Sequence, residues 1–175
     1  MLWQNQGLKP ARISVNLSVQ QFYNPNIIDI ISKVLHETGL KPCYLELEVT
    51  ESLGGHDEDY VIGTMNILKT LGVPLSIDDF GMDYSSLSRL KNLPVDRIKI
   101  DMQFVRGIGQ NIKDERIIKI ILELGRTLGL KVVAEGVETG QQLAFLKDNS
   151  CTEIQGYYFY KPMSAEKVAQ VLPKQ

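Results

Sequence analysis

The chain has 175 residues, of which 43% are hydrophobic, 23% charged and 7% aromatic, and its net charge is -2. That length suits one domain with a sizeable core, and the composition excludes a disordered chain. The charge excludes a basic footprint for a nucleic acid polymer or an anionic membrane surface, so any phosphate ligand has to be gripped locally.

Residues 1–11, with Gly7 and Pro10, read as the end of a helix followed by a loop. Gln4, Asn5 and Gln6 rule out a signal peptide, and no apolar run approaches the length of a membrane segment; a cytoplasmic location is the default expectation. Residues 12–17 read as a buried strand. Ile27, Ile28, Ile31, Val34 and Leu35 recur at helical spacing, and Gly39 followed by Pro42 stops that helix. Residues 44–49 make the second strand. Val61, Ile62, Met65 and Leu68 stripe a helix over about 57–71, closed by Gly72, before a third strand at 74–80.

The pattern continues with a strand at 95–100 and a helix over about 114–128 capped by Gly129. A strand at 131–134 follows, then a helix from Thr139, its expected N-cap, to Lys147. A short strand at 152–155 and a helix at 164–172 complete the chain. The segment from Tyr84 to Leu90 is too short to assign as a full crossover helix. Cys43 and Cys151 show no CxxC spacing and read as buried thiols in a reducing compartment. His36 and His56 form no zinc-binding arrangement.

Strand and helix alternating six times, with short apolar strands, is the pattern of a parallel sheet covered by helices. The C-terminal strand ends then share one side. Asn16, Glu48, Asp78 with Asp79, Lys99 with Asp101, Glu135 and Gln155 all fall there. The double aspartate is expected just past the end of its strand, because carboxylates sit poorly in strand interiors. Polar groups from all six strands favour a TIM-type (β/α) barrel over an open sheet, whose site gathers mainly at one switch point. The barrel is incomplete: about six βα units stand where a closed one has eight.

Asn16, Glu48, Asp78, Asp79 and Asp101 are hard oxygen donors, suited to Mg²⁺, Mn²⁺ or Ca²⁺. Adjacent aspartates can serve two ions about 4 Å apart, an arrangement that cleaves phosphodiesters. Lys99 is then placed to neutralise a phosphate oxygen or a nucleophilic water, and Glu135 to accept its proton. Structural roles compete with these. Lys99 and Asp101 alternate with Ile98 and Ile100 and can form an interior ion pair. Glu135 can cap the helix near Thr139, and Gln155 can satisfy backbone groups. The aromatic run Tyr157-Tyr158-Phe159-Tyr160 reads as packing rather than base stacking.

Six stretches add a family to this reading. They are Val15-Asn16-Leu17-Ser18, Glu48-Val49-Thr50-Glu51, Asp78-Asp79-Phe80-Gly81 with Tyr84-Ser85-Ser86-Leu87, Ile98-Lys99-Ile100-Asp101, Ala134-Glu135-Gly136-Val137-Glu138 and Gln155-Gly156-Tyr157. In this order they resemble the bacterial EAL domain over essentially the whole chain, 1–175, read as a single EAL-like domain. The resemblance implies a (β/α)₈-type barrel that hydrolyses cyclic di-GMP to linear pGpG with two Mg²⁺ or Mn²⁺ ions. It implies that Asn16, Glu48 and Asp78 are metal ligands and that Asp79 and Asp101 serve the second ion. Lys99 corresponds to the lysine that helps activate water, Glu135 to the carboxylate at the nucleophile and metal site, and Gln155 to a residue lining that same pocket. Glu51 matches the glutamate that steadies the loop after the double aspartate and couples dimerisation to metal placement.

Two departures accompany it. No Glu-Ala-Leu occurs in the chain, and with that signature go a metal-binding glutamate and the family barrel's first two strands. Met82 and Asp83 replace what is usually a small residue and a glycine. Weak or absent hydrolysis by the chain alone is therefore expected. The alternatives are a non-catalytic cyclic di-GMP-binding or protein-interaction module and, from another class, a Schiff-base aldolase built on Lys99. The bare edges of strands 12–17 and 152–155 predict a homodimer or an exchanged-element dimer. A regulatory or sensor domain is the expected further partner.

Overall fold

In the computed structural model, residues 3, 7–51, 53, 57–82 and 87–173 are described. Asp83, Tyr84, Ser85 and Ser86, with the motif and backbone expectations attached to them, lie outside the described residues, as does His56. Six strands, β1 (Ile13–Asn16), β2 (Leu45–Thr50), β3 (Leu75–Phe80), β4 (Arg97–Ile100), β5 (Lys131–Ala134) and β6 (Glu153–Ile154), form one sheet in chain order. Every pairing is parallel. The expected strands are all present, with ends that differ by at most two residues from the expected ones.

The helices are α1 (Val19–Phe22), α2 (Ile27–Thr38), α3 (Glu58–Thr70), α4 (Leu87–Asn92), α5 (Met102–Arg106), α6 (Ile112–Leu128), α7 (Gly140–Asp148) and α8 (Ala165–Val171). Short side-chain signals start and stop them. The Asp57 carboxylate accepts from Tyr60 N at 3.2 Å to open α3, and the Thr139 hydroxyl accepts from Gln142 N at 3.2 Å in a capping box that opens α7. Gly39 and Gly129 end α2 and α6 in the left-handed region, at φ 65° and 70°. The two short helices α1 and α5 escape a sequence reading because one turn is too short to show a period.

Alternation along the strands divides two environments. Leu47, Val49, Leu75, Ile77, Ile98, Ile100, Val132 and Ala134 face the helices, where Met65, Leu68, Ile118, Ile121 and Leu146 complete the core. The opposite face carries charge: Glu46 and Glu48 on β2, Arg97 and Lys99 on β4, all at most 8% exposed. Arg97 on β4 meets Glu46 on β2 at 2.5 Å and Glu153 on β6 at 2.8 Å. In a flat sheet each partner lies roughly 10 Å away in opposite directions. A concave sheet brings both within reach of one guanidinium, and the architecture is a half-barrel with its charged face inside.

The edge strand differs from the centre. β4 is buried at all four positions, whereas β1 is exposed at all four, with Ile13 and Val15 at 45% and 44%. Two expectations are corrected here. Cys43 is exposed, because it lies in the short 3-10 turn Pro42–Tyr44 before β2; only Cys151 is buried. The aromatic run is not packed in the core: Tyr157, Tyr158, Phe159 and Tyr160 are 46–59% exposed, since β6 ends at Ile154 and the chain continues over the surface.

Candidate active site at the strand ends

The rim is assembled around one ammonium. Lys99, on the last turn of the pleat in β4, places Nζ at 2.6 Å from Glu48 Oε2, 2.8 Å from Asp78 Oδ1 and 2.8 Å from Glu135 Oε1. Those three carboxylates come from β2, β3 and the residue just after β5. The four side chains are 6–16% exposed. Burial alone would lower the lysine pKa, but the pairing of its ammonium with the carboxylates of Asp78, Glu135 and Glu48 outweighs that and pushes the pKa up. Lys99 is thus a locked cation. A Schiff-base aldolase needs a neutral amine, so this geometry argues against that alternative.

The double aspartate sits inside β3, as its fourth and fifth residues, and not past the strand end as expected. Ile77 pairs with Ile98 and Phe80 with Ile100, so three steps on β3 match two on β4. The extra residue is a bulge at Asp79, whose φ is 53°. A regular strand would aim two successive side chains at opposite faces; the bulge lets both carboxylates reach one mouth. Oxygens of Asp78, Asp79 and Glu135 all lie within 4.8 Å of one another, the arrangement of a group able to hold a metal ion. Glu135 therefore keeps company with the aspartates and Lys99, rather than capping α7, where Thr139 already does so.

Asp101 serves two ends. Its carboxylate accepts from Gln103 N at 2.7 Å as the N-cap of α5, and it stands beside the Asp79 side chain, whose pKa it helps to raise. It is not the ion-pair partner of Lys99. Burial, then the charge of Asp78 and the neighbouring Asp101, raise the Asp79 pKa. Glu135 is raised by burial as well, against the opposing pull of Lys99. In both, burial is the largest cause, and neighbouring carboxylates add to it: Asp78 for Asp79, and Asp78 with Glu48 for Glu135.

The remaining expected residues lie on the same mouth. Asn16 is in register with Glu48 and so shares its inward face. Gln155 borders two hollows. One, of about 240 Å³, is lined by Ser14, Glu46, Glu48 and Lys99; the other, of about 220 Å³, by Glu135, Arg106, Met102, Glu138 and Tyr157. Glu51 Oε2 accepts from Gly81 N at 3.1 Å, joining the end of β2 to the turn after the double aspartate. Gly136 and Gly156 let the two rim loops close up. A Cβ on Gly156 would stand 2.1 Å from Val137 O, and one on Gly136 2.6 Å from Met102 Cβ.

The sequence reading missed a second charged layer beneath the first. Arg97 bonds Glu46 and Glu153, Arg12 joins Glu46 at 3.1 Å, and Lys131 joins Glu153 at 3.3 Å. Strand parity was the available signal: Glu46 and Arg97 stand two residues before Glu48 and Lys99 and must share their face.

The sequence profile of the EAL domain matches residues 1–162. Cyclic di-GMP phosphodiesterase NbdA of Pseudomonas aeruginosa is 42% identical over 166 residues, which is 95% of this chain and 21% of that protein. The chain spans about a fifth of the length of the curated relatives it matches. Among solved structures, the MucR phosphodiesterase of the same organism in complex with c-di-GMP is 42% identical with a TM-score of 0.91, covering 95% of this chain and 68% of that one. The Klebsiella pneumoniae BlrP1 complex with manganese and cy-diGMP is 31% identical with a TM-score of 0.79, covering 85% and 38%.

Proposed function

Because the chain belongs to the EAL domain family, we propose that residues 1–175 act as one cytoplasmic domain of cyclic di-GMP signalling, binding that dinucleotide over two Mg²⁺ or Mn²⁺ ions. The observation that carries this is the crowding of Glu48, Asp78, Asp79 and Glu135 around the single ammonium of Lys99. The donor set fits such ions: hard oxygens only, no sulfur or imidazole, and more charge than Lys99 offsets. When bound, the ions polarise a phosphoryl oxygen and make water a stronger nucleophile.

The chain's own residues do the rest. Asn16, Glu48 and Asp78 hold one position, and Asp79 with Asp101 the other. Lys99 orients a water or phosphate oxygen, and Glu135, made more basic by burial, receives the proton. Gln155 lines the substrate hollow, and Glu51 holds the turn at Gly81 in place. Hydrolysis to pGpG is slow or absent in the chain by itself, since its 175 residues include no Glu-Ala-Leu and hence no counterpart of that carboxylate. A second reading, binding without turnover, is favoured by Lys99 already occupying one oxygen each of Glu48, Asp78 and Glu135.

Incubation with cyclic di-GMP and Mn²⁺, following linear product and binding together, tests both. Slow product that Asp78→Ala abolishes supports the enzyme, binding without product supports the receptor, and neither overturns the reading. The two sheet edges extend the proposal to partners. Ile13 and Val15 on β1, and Ile30 and Val34 on α2, are 44–48% exposed. A homodimer or an exchanged-element dimer would cover them, next to a regulatory or sensor domain. Sedimentation as a monomer at micromolar concentration would refute the dimer. Among the described residues no helix is long and apolar enough to cross a membrane.

A further inference from the structure

Lys99 Nζ lies at ion-pair distance from three carboxylates, 2.6 Å from Glu48, 2.8 Å from Asp78 and 2.8 Å from Glu135. Two of its partners, Asp78 and Glu135, belong with Asp79 to the group whose oxygens converge within 4.8 Å. The ammonium and a divalent ion therefore draw on the same two carboxylates. Resting on the proposed metal site, we infer that Lys99 is an internal competitor that sets the affinity of that site, holding the carboxylates together in the metal-free chain and weakening ion binding when metal arrives.

The sign follows from charge. A divalent cation beside a buried ammonium is repelled, and in this setting, at most 16% exposed, water screens the repulsion poorly. Removing the ammonium should tighten ion binding. The opposing effect is loss of order: without Lys99, Glu48, Asp78 and Glu135 repel one another and can splay. The positions of these three carboxylates are set by strands β2, β3 and β5, whose backbone pairings do not involve the lysine side chain. The rigid sheet limits the splay, so the gain in attraction decides.

The experiment is Mn²⁺ binding to the full chain, read from the paramagnetic resonance of free Mn²⁺ and from the Mn²⁺-induced shift in melting temperature. Lys99→Met keeps the length of the side chain and removes its charge. The expected result is Mn²⁺ affinity raised about tenfold or more over the unsubstituted chain. Its metal-free melting temperature should be lower and its rise with Mn²⁺ larger. Lys99→Gln, which retains a hydrogen-bond donor, is expected to tighten binding in the same direction and serves if the methionine variant does not fold.

Equal or weaker Mn²⁺ binding in both variants overturns the inference, as does failure of both to fold at any Mn²⁺ concentration. In those cases Asp78-dependent Mn²⁺ binding by the unsubstituted chain would leave the proposed metal site standing. No binding by the unsubstituted chain overturns that site and the inference with it.

Discussion

Arg97 and Lys99 stand two residues apart on one strand, face the same concave interior and are equally buried, yet their surroundings differ in charge. Around Arg97, three cations, Arg12, Arg97 and Lys131, meet two carboxylates, Glu46 and Glu153. Around Lys99, one cation meets Glu48, Asp78 and Glu135, with Asp79 beside them. The lower layer is self-sufficient and ties β2 to β6 across the hollow. The upper layer is left wanting positive charge at the open mouth. The same geometrical device, a cation on the central strand reaching outward, thus builds curvature at one depth and a candidate site at the next.

Breaking the lower layer should give the largest change in stability. Arg97→Met leaves Glu46 with only the half-exposed Arg12 and frees Glu153 from its strongest partner. Removing one partner of a buried pair costs about 3–5 kcal/mol, because the survivor stays desolvated. Urea unfolding should show a loss of that size, and a loss below about 1 kcal/mol would mean that other contacts hold the curve. Breaking the upper layer should act on binding instead. Asp78→Asn relieves crowding among carboxylates and is expected to lower Mn²⁺ affinity about tenfold or more. Its effect on unfolding should remain well under that of Arg97→Met. A fall in stability equal to that of Arg97→Met, with Mn²⁺ affinity kept, would exchange the roles assigned to the two layers.

Much of this contrast was legible in the sequence. The six apolar runs gave the strands, Gly39 and Gly129 marked helix ends, and Asn16, Glu48, Asp78, Lys99, Glu135 and Gln155 marked the strand ends. Glu46 and Arg97 went unread, although parity with Glu48 and Lys99 puts them on the inner face; no local feature says that Arg97 will find partners on β2 and β6. Those contacts depend on curvature, which only the assembled sheet possesses. The bulge at Asp79 was hidden for the same reason: a register shift belongs to a pair of strands. The N-cap role of Asp101 was hidden because a residue following a strand and a residue starting a helix look alike when the helix is the five-residue α5. The exposure of Cys43 and of the run from Tyr157 to Tyr160 depends on where strands stop, the point at which periodicity says least.

The smallest expected effect is also the sharpest test of the difference between the layers, because the two should respond to acid with opposite sign. Glu153 has its pKa lowered, chiefly by the hydrogen bond from Arg97, so it adds stability above the ordinary carboxylate value of about 4.3 and loses it as pH falls through its lower folded value. Glu135 is raised, chiefly by burial, so between about 4.3 and its higher folded value the folded state binds more protons than the unfolded one. Its contribution therefore improves as pH falls through that window. In metal-free buffer, Glu153→Gln should flatten the acid-side loss of melting temperature below about pH 4.3, since glutamine cannot protonate. Glu135→Gln should remove a gain that the unsubstituted chain shows on acidification above that value. Melting curves from about pH 3 to about pH 7, taken as differences from the unsubstituted chain, isolate each glutamate from the other carboxylates. Difference curves of the same sign for the two variants would mean that pairing with Lys99 outweighs burial at Glu135, as pairing with Arg97 does at Glu153.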